Sequence, residues 1–358
     1  MNVTKLQKMY LGIYETAKKK LISKNVKGFV RKSLFNKNVL SKEEDQKASD
    51  FWSHYVKIDP VFHAFYKEKA GVFDPLFVPH DVYINQVDAY FNIREASWWL
   101  DHKCLYDRLF TGIRQPVNIA YRMGGFWYDA QWQPLSMTQV LELISLESAT
   151  VVKAATRSEC GNGVQFIEGG SEGIVSTFKT ALEKQTGDIV IQRPLIQHES
   201  LSVMHPSSVN TLRIISLLTE DGPKIYSTIV RMGGCGERID NNIATGLFCG
   251  VKDTGELAPY AYRLNGDRFE AHPSSGFVFK GHRLAGVKKA QELVRKAAIM
   301  LPLFRLVSWD VVIDSDGEPL MLECNLAKGS ISYHQLTNGP LFGEDTRKVL
   351  DEVFGKNK

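Results

Sequence analysis

Hydrophobic residues recur at helical spacing over residues 1–70. Apolar side chains return every three or four positions between Leu6 and Leu21, with lysines between them, and again between Phe51 and Val56. This period places apolar side chains on one face of a helix. Proline and glycine residues then interrupt the pattern, and a helical texture returns over residues 95–111. We therefore predict a helical region at the start of the chain.

From residue 117 onward the pattern changes to short apolar runs separated by turns. Such runs are typical of strands, whereas longer runs with a helical period are typical of helices. The last two predicted strands are joined by the hairpin turn Asp-Ser-Asp-Gly at residues 314–317. The strands are predicted at residues 117–121, 149–154, 188–192, 212–218, 224–232, 246–251, 306–314 and 319–324, and the helices at residues 138–146, 175–184 and 284–298.

The composition is that of a globular protein. Of the 358 residues, 44% are hydrophobic and 23% charged. The length of the chain suggests two or three domains or lobes. The five cysteines are far apart and form no Cys-x-x-Cys motif, so a disulfide framework or zinc site is not expected. No apolar run approaches the roughly 20 residues of a spanning helix, and the N-terminus does not resemble a signal peptide. We expect a cytoplasmic protein, with peripheral association at the inner face of the membrane left open.

The positive charge of the chain is concentrated at one end. Residues 1–42 contain eleven lysine and arginine residues against Glu15 alone, a net charge of +10, while the whole chain carries +4. A basic helix with Leu, Ile, Met and Tyr at its other positions suits an anionic membrane surface, a lipid-linked polyanionic glycan or an acidic partner protein. The alternative is a helix packed on the body of the protein with its lysines in solvent. No nucleic-acid partner is expected.

Two predicted strands near the C-terminus carry oxygen ligands. Asp310 lies on the first strand, and Glu323 and Asn325 point to the same face of the second because they are two positions apart. Across the hairpin, that face can meet Asp310. Carboxylate and amide oxygens suit Mg²⁺ held jointly with nucleotide phosphates. The alternative is an ordinary hairpin whose acids face solvent. The apolar neighbours of these residues argue against this alternative.

A lysine followed by a glycine-containing loop suits a phosphate. Lys153 lies at the end of a predicted strand, with Gly161 and Gly163 in the loop beyond it. The lysine can pair with phosphate as a point charge, and the glycines let backbone N–H groups approach its oxygens. The spacing matches neither a P-loop nor a dinucleotide fingerprint. Lys103 is a second candidate phosphate cation, with a solvated surface lysine as the alternative.

The strand predicted at residues 188–192 leads into a proline turn. Main-chain groups around Gln192, Arg193 and Leu195 can meet the edge of an adenine, and Glu199, seven residues past Gln192, can accept hydrogen bonds from ribose hydroxyls. The alternative is a strand end followed by a surface acid.

In this order, the motifs resemble the ATP-grasp superfamily. Its lysine–glycine loop is similar to the segment after Lys153, its hinge to the segment from Gln192 to Glu199, and its metal triplet to the Asp…Glu-x-Asn pattern that ends at Asn325. Within the superfamily, the chain looks most like the sugar-transfer-associated group of bacterial surface-polysaccharide gene clusters. The segments that carry this closer resemblance are residues 205–213, Asp240-Asn241 and His334-Gln335.

The resemblance implies a fold and its cofactors. The fold is α+β, with two ATP-grasp lobes that clasp ATP after a helical N-terminal region. ATP and Mg²⁺ or Mn²⁺ are the implied cofactors. The implied domains are a basic helical region at residues 1–70, a segment before the ATP-grasp fold at 71–116, a small lobe at 117–190 and a large lobe at 191–350.

The resemblance also implies roles for single residues. Ser308 stands where D-alanine–D-alanine ligase has an arginine, so another cation must stabilise the transferring phosphate. The implied catalytic cations are Arg213, Arg231 and Lys328; the metal ligands are Asp310, Glu323 and Asn325; the ATP-binding residues are Lys103, Lys153, Gly161, Gly163, Gln192, Arg193, Leu195 and Glu199; and the substrate-binding residues are Asp240, Asn241, Asn242, Gly329 and His334.

The implied reaction is the ligation of a carboxylate to an amine through an acylphosphate. The substrates are small molecules or glycans, and a sugar or polysaccharide precursor suits the closer resemblance. Two alternatives stay open: a kinase on the same fold, and a non-catalytic nucleotide-binding accessory protein of glycan assembly.

Overall fold

The protein contains two antiparallel sheets and a set of N-terminal helices. The structure, a computed structural model, describes residues 3–36, 39–156, 164–168, 171–183, 185, 187–234, 245–327 and 329–355. Its helices are α1 (Val3–Ser33), α2 (Lys42–Ser53), α3 (Val61–Ala70), α4 (His80–Val82), α5 (Asp88–Phe91), α6 (Ser97–Leu100), α7 (Tyr106–Leu109), α8 (Met137–Ser145), α9 (Ser171–Glu183), α10 (Glu199–Ser202), α11 (Val287–Ala298), α12 (Ser332–Asn338) and α13 (Thr346–Val353). Its strands are β1 (Asn118–Met123), β2 (Phe126–Asp129), β3 (Pro134–Leu135), β4 (Ala149–Ala154), β5 (Gln165–Glu168), β6 (Ile189–Gln192), β7 (Thr211–Thr219), β8 (Gly222–Met232), β9 (Leu247–Val251), β10 (Leu257–Tyr262), β11 (Arg268–Phe269), β12 (Leu306–Ile313) and β13 (Pro319–Asn325).

The N-terminal helices pack on the rest of the chain through aromatic residues. A capping box formed by Ser41 and Glu44 starts α2, and the helix buries Trp52 completely. A π-helical turn, Tyr83–Val87, connects α4 and α5. Among the described helices, including the 31-residue α1, none combines the length and hydropathy that a membrane span requires.

The first sheet has six strands in the order β3-β2-β1-β6-β4-β5. All of its described pairs are antiparallel. Helices α8 and α9 cover one face, where Val140 and Phe178 pack against Val152 and Ile191. Because successive residues of a strand alternate between faces, Lys153 and Gln192 lie on the opposite face of this sheet.

The second sheet has seven antiparallel strands in the order β11-β10-β9-β8-β7-β12-β13. Its first face packs on α11 in the largest core of the protein, which includes Val294, Val307, Trp309 and Val311. On its second face, the apolar side chains pack against the N-terminal helices and α12. The alternate positions of β12, Ser308 and Asp310, therefore lie on this second face.

The α+β prediction is confirmed, and the predicted strands and helices recur in the structure within a few residues of their predicted ends. The helix predicted from residue 284 begins at Val287, after Gly286 with a positive φ of 70°. The sequence prediction missed strands β2, β3, β5, β10 and β11, which have at most six residues each. The predicted domain bounds stay predictions.

Candidate nucleotide and metal site

The register of the second sheet gathers charged residues from three strands. Asp310 on β12 lies opposite Glu323 on β13 and opposite Arg213 on β7. Directly paired residues share a face of the sheet, so the three side chains project together. The expectation that Asp310 meets Glu323 across the hairpin is confirmed by this register.

Two arginines hold the carboxylate of Asp310. Arg213 donates two hydrogen bonds, from Nε to Oδ1 at 2.5 Å and from Nη2 to Oδ2 at 2.6 Å. Arg231 is more distant, with Nη1 at 3.3 Å from Oδ2. Burial by itself would raise the pKa of Asp310, but Arg213 and then Arg231 outweigh it, so the pKa lies below its ordinary value. Asp310 is therefore an anion, buried but paired.

The other predicted oxygen ligands, Glu323 and Asn325, lie beside Asp310. The Asn325 amide donates from Nδ2 to the backbone oxygen of Ser308 at 3.2 Å, and the same nitrogen lies 3.5 Å from Asp310 Oδ2. Glu323 is partly exposed, and its Oε1 lies 3.3 Å from Nζ of Lys103. The carboxylates of Asp310 and Glu323 are thus both paired with cations of the chain.

Lys103 connects the two sheets. Its backbone N–H donates to the carbonyl of Ala155 at 2.9 Å, just beyond strand β4, while its ammonium group reaches Glu323 on β13. The adjacent Cys104 donates to the carbonyl of Ile189 on β6 at 3.3 Å. The short segment around Lys103 is therefore attached to the first sheet and in contact with the acids of the second.

Lys153 and Gln192 lie on the face of the first sheet that α8 and α9 leave uncovered. Lys153 is paired with Val190, and Gln192 with Val151. The Gln192 side chain is 9% exposed and donates from Nε2 to Oδ1 of Asn118 at 2.8 Å. Its amide is thus fixed by a neighbouring strand.

The residues after Gln192 lie at the surface. The guanidinium of Arg193 forms a bidentate ion pair with Glu147, while its backbone N–H donates to the carbonyl of Val117 at 3.0 Å. Leu195 is half-buried, and Glu199 is exposed at the start of α10. The side chain of Arg193 is therefore turned away from the charged cluster, and the roles of Arg193, Leu195 and Glu199 stay predictions.

Residues 85–350 match the model of a protein family described as sugar-transfer associated ATP-grasp. The chain belongs to this family. The match covers well over half of the sequence and includes both sheets. No curated protein matches the sequence.

Several solved structures have a similar course of the chain at low sequence identity. The biotin carboxylase domain of 2-oxoglutarate carboxylase from Hydrogenobacter thermophilus, solved with MgADP, ADP and bicarbonate, is 12% identical, with a TM-score of 0.41 over 71% of this chain and 45% of its own. A D-cycloserine synthetase is 13% identical, with a TM-score of 0.43 over 73% of this chain and 71% of its own. D-alanine–D-alanine ligase from Bacillus anthracis is 12% identical, with a TM-score of 0.39 over 72% and 67%. The chain spans less than half of the biotin carboxylase domain.

The oxygen ligands of this ATP-grasp protein fit Mg²⁺ bound together with ATP, the cofactors that membership of the family implies. Asp310, Glu323 and Asn325 supply hard oxygen atoms from two paired strands. Within the described parts of the chain, no three His, Cys, Asp or Glu residues are grouped as a metal site. The protein thus offers a partial ligand set, as suits Mg²⁺ that keeps phosphate and water oxygens.

His334 and Gly329 adjoin the same cluster. His334 on α12 is buried, and its Nδ1 lies 2.8 Å from Oγ of Ser227 on β8. Burial, and then the positive charges of Arg213 and Arg231, lower the pKa of His334 to about 3, so the imidazole is neutral. A Cβ added at Gly329 would lie 3.5 Å from Cβ of Ser308, which places this glycine directly beside β12.

Six of the predicted site residues lie outside the described residues. They are Gly161, Gly163, Asp240, Asn241, Asn242 and Lys328, and their roles stay predictions.

The sequence prediction missed Asp101 and Asn118. Asp101 accepts a hydrogen bond from the hydroxyl of Tyr106 at 3.2 Å; burial, with a further contribution from Glu323, raises its pKa to about 6. Its position two residues before Lys103 is a weak signal of a shared site. Asn118 precedes Gln192 by 74 residues, so no local pattern connects the two.

Proposed function

We propose that this ATP-grasp protein is an ATP- and Mg²⁺-dependent carboxylate–amine ligase that acts through an acylphosphate. The observation that carries the proposal is the cluster in which Asp310, Glu323 and Asn325 share one sheet face with Arg213 and Arg231. A non-catalytic protein has no need to bury an acid between two arginines, because such pairs add little to stability compared with apolar residues.

The proposed reaction has two steps. A carboxylate oxygen of the substrate attacks the γ-phosphorus of ATP, the bond to the β–γ bridging oxygen breaks, and ADP leaves. The amine then attacks the acyl carbon, phosphate leaves, and the amine loses its proton. Bound Mg²⁺ would neutralise charge on the β- and γ-phosphates.

The residues of the chain would act by position and charge. Asp310, Glu323 and Asn325 would hold the metal, and Lys103 and Lys153 would bind phosphates. Arg213 and Arg231 would stabilise the charge that develops on the transferring phosphoryl group. They would take this role because the side chain of Ser308 carries no charge. His334, near the arginines, and Gly329, beside Ser308, would contact the substrate.

The substrate class follows from the family description alone. "Sugar-transfer associated" supports a sugar or polysaccharide precursor that carries the carboxylate or the amine, in bacterial surface-glycan biosynthesis. We also propose that the enzyme works in the cytoplasm, where thiols such as the buried Cys104, Cys249 and Cys324 stay reduced.

The proposal is tested by a screen for ADP release. The protein is incubated with MgATP and with sugar acids and amines, singly and in pairs, and the products are analysed by mass spectrometry. We expect ADP release that needs both substrates and a product with one new amide bond. Glu323→Gln should abolish turnover, whereas Glu318→Gln should not, since Glu318 is a partly exposed acid of the same hairpin that pairs with Lys289.

Two outcomes would contradict the proposal. ADP release with a phosphorylated product and no need for an amine would identify a kinase. Full turnover by Glu323→Gln would show that the metal ligands lie elsewhere.

A further inference from the structure

The long helix α1 has one face that packs on the protein and another that does not. The packed face presents Ile22, Val26 and Val30 at successive intervals of four residues, and Val30 is 3% exposed in a core with the aromatic residues of α3. The spacing of four residues keeps these side chains on one side of the helix. The orientation of α1 on the body is therefore set by an apolar seam.

Polar contacts fix the same orientation. Lys27 Nζ lies 2.9 Å from Oδ2 of Asp81, and Arg31 forms an ion pair with Asp59. Asn85 donates to the hydroxyl of Ser23 at 3.1 Å. Because Ser23, Lys27 and Arg31 all lie on one side of the seam, the other side of α1 is left in solvent.

That side of α1, which we call the outer face, combines exposed apolar side chains with lysines. Tyr14, Leu21 and Phe29 are 54%, 58% and 42% exposed, and intervals of seven and eight residues place them within about 80° of one another around the helix. Lys18 and Lys32 lie in the same row by their spacing.

Lys20 and Lys24, both exposed, lie about 60–120° around the helix from Tyr14 and Leu21 and add positive charge beside the outer face. The acid nearest in sequence is Glu15, which pairs with Lys18 at 3.4 Å. No ion pair of Lys20, Lys24 or Lys32 is found within the described part of the chain. The outer face is thus basic and apolar at once.

We propose that the outer face of α1 docks on an anionic lipid bilayer. A helix that lies flat in the membrane interface places apolar side chains at the acyl boundary and ammonium groups among the phosphates, so one surface satisfies both features. An acidic protein would neutralise the lysines but would also need matching apolar pockets for three separated side chains. The presence of exposed apolar side chains and lysines on one side of the helix therefore favours the bilayer. This inference does not depend on the ligase reaction.

The test is sedimentation of the full-length protein with vesicles. We expect binding to phosphatidylcholine vesicles that contain phosphatidylglycerol, weak binding to phosphatidylcholine alone, and a steep loss of binding between low and high salt, since exposed charges are screened over about 10 Å at 0.1 M. Each basic residue near such a surface contributes about fivefold to the binding constant. Substitution of Lys18, Lys20, Lys24 and Lys32 by Gln should therefore weaken binding by at least about a hundredfold.

A matched variant controls for net charge. Substitution of Lys179, Lys280, Lys288 and Lys296, which are exposed elsewhere, by Gln removes the same charge and should leave vesicle binding close to that of the wild type. Leu21→Ser combined with Phe29→Ser should weaken binding to anionic vesicles at a given salt concentration. All three variants should keep the melting temperature and the circular dichroism of the wild type, since the packed face is unchanged.

Three results would overturn the proposal. They are an equal loss of binding in both lysine variants, equal binding to neutral and anionic vesicles, and binding to polyglutamate without binding to anionic vesicles. The last result would identify an acidic protein as the partner. Nucleotide binding, measured on the same samples by calorimetry, reports on the ATP site separately.

Discussion

Asp310 has two roles at the scale of the single residue, as a proposed metal ligand and as the counterion of two arginines. Its carboxylate accepts both hydrogen bonds of Arg213 and lies near Arg231. An arginine cannot neutralise itself by losing a proton in a folded protein. If both acids bind the metal as proposed, a change at Asp310 would act on stability as well as on metal binding, whereas a change at the partly exposed Glu323 would act mainly on the metal.

We predict that Asp310→Asn lowers the free energy of unfolding by about 3–5 kcal/mol, because it leaves buried guanidinium groups without a counterion. Glu323→Gln should lower it by less than about 1 kcal/mol. Urea unfolding of both variants without metal or nucleotide measures the difference. Equal stability of the two variants would show that Asp310 is not the counterion of the arginines.

The two arginines should separate in kinetics and stability. Arg213 donates two close hydrogen bonds to Asp310, whereas Nη1 of Arg231 lies 3.3 Å from Oδ2. We predict that Arg231→Ala lowers kcat for ADP release by tenfold or more with a smaller change in KM for ATP, as for a contact made in the transition state. Arg213→Ala should destabilise the fold more. Unchanged kcat in Arg231→Ala would assign the charge to another cation.

At the scale of the element, α1 joins the core along one side only. Residues 1–42 include Val30 and both ion pairs to the body. We predict that their deletion lowers the free energy of unfolding by a few kcal/mol, the usual cost of losing buried apolar groups and charge partners. Thermal denaturation measures the effect, with the outer-face lysine variant as the control for charge. A deletion with the wild-type melting temperature would mean that α1 rests on the body without stabilising it.

The helix α3 should make stability depend on pH through His63. Burial lowers the pKa of His63 from 6.5 to about 4. Between these values the unfolded chain binds a proton that the folded chain does not, so the free energy of unfolding falls as the pH drops from 6.5 toward 4. His63→Gln should reduce this slope, and the exposed His54→Gln should not. Urea unfolding at pH 7 and pH 4.5 gives the slopes, and identical slopes would contradict the assignment.

At the scale of the whole molecule, Lys103 makes contact with both sheets, so nucleotide and metal should stabilise the protein as one unit. A ligand at 100 times its Kd that binds only the folded state adds about 2.7 kcal/mol of stability. We predict a rise in melting temperature with MgATP, a smaller rise with ATP and a chelator, and a loss of the Mg²⁺-dependent part in Glu323→Gln. The variant Glu318→Gln should behave like the wild type. An equal rise in Glu323→Gln would remove Glu323 from the metal site.

The hairpin of β12 and β13 was predictable because its interactions are local. Alternation of polar and apolar residues and a nearby Asp-Gly turn fix the register that brings Asp310 opposite Glu323. The partners of Asp310 on other strands were not predictable in the same way. Arg213 is 97 residues away along the chain, and only the order of strands in the folded sheet makes β7 the neighbour of β12. Short-range periodicity does not contain that order.

The short strands and the buried polar contacts were not predictable from the sequence either, because they also depend on pairing between distant segments. Strands β2 and β3 are too short to show a period. They are defined by the pairing of β2 with β1 and of β3 with β2. The contact of Gln192 with Asn118 and that of His334 with Ser227 join distant positions. The motifs of the family predicted which segments form the site, but tertiary packing determines which side chains are in contact.

The pairing of the hairpin acids with lysine and arginine has a consequence for metal choice. A bare pair of carboxylates would bind the divalent ions that are strongest in general, copper and zinc above magnesium. Here a free ion must first displace a cation of the chain from Asp310 or Glu323. An ion that is already bound to ATP comes with phosphates, and these can pair with the lysine or arginine side chain that the ion displaces. The protein would thus take its metal from the nucleotide, and the abundance of MgATP in the cell, rather than the intrinsic affinity of the ligands, would decide which ion is used.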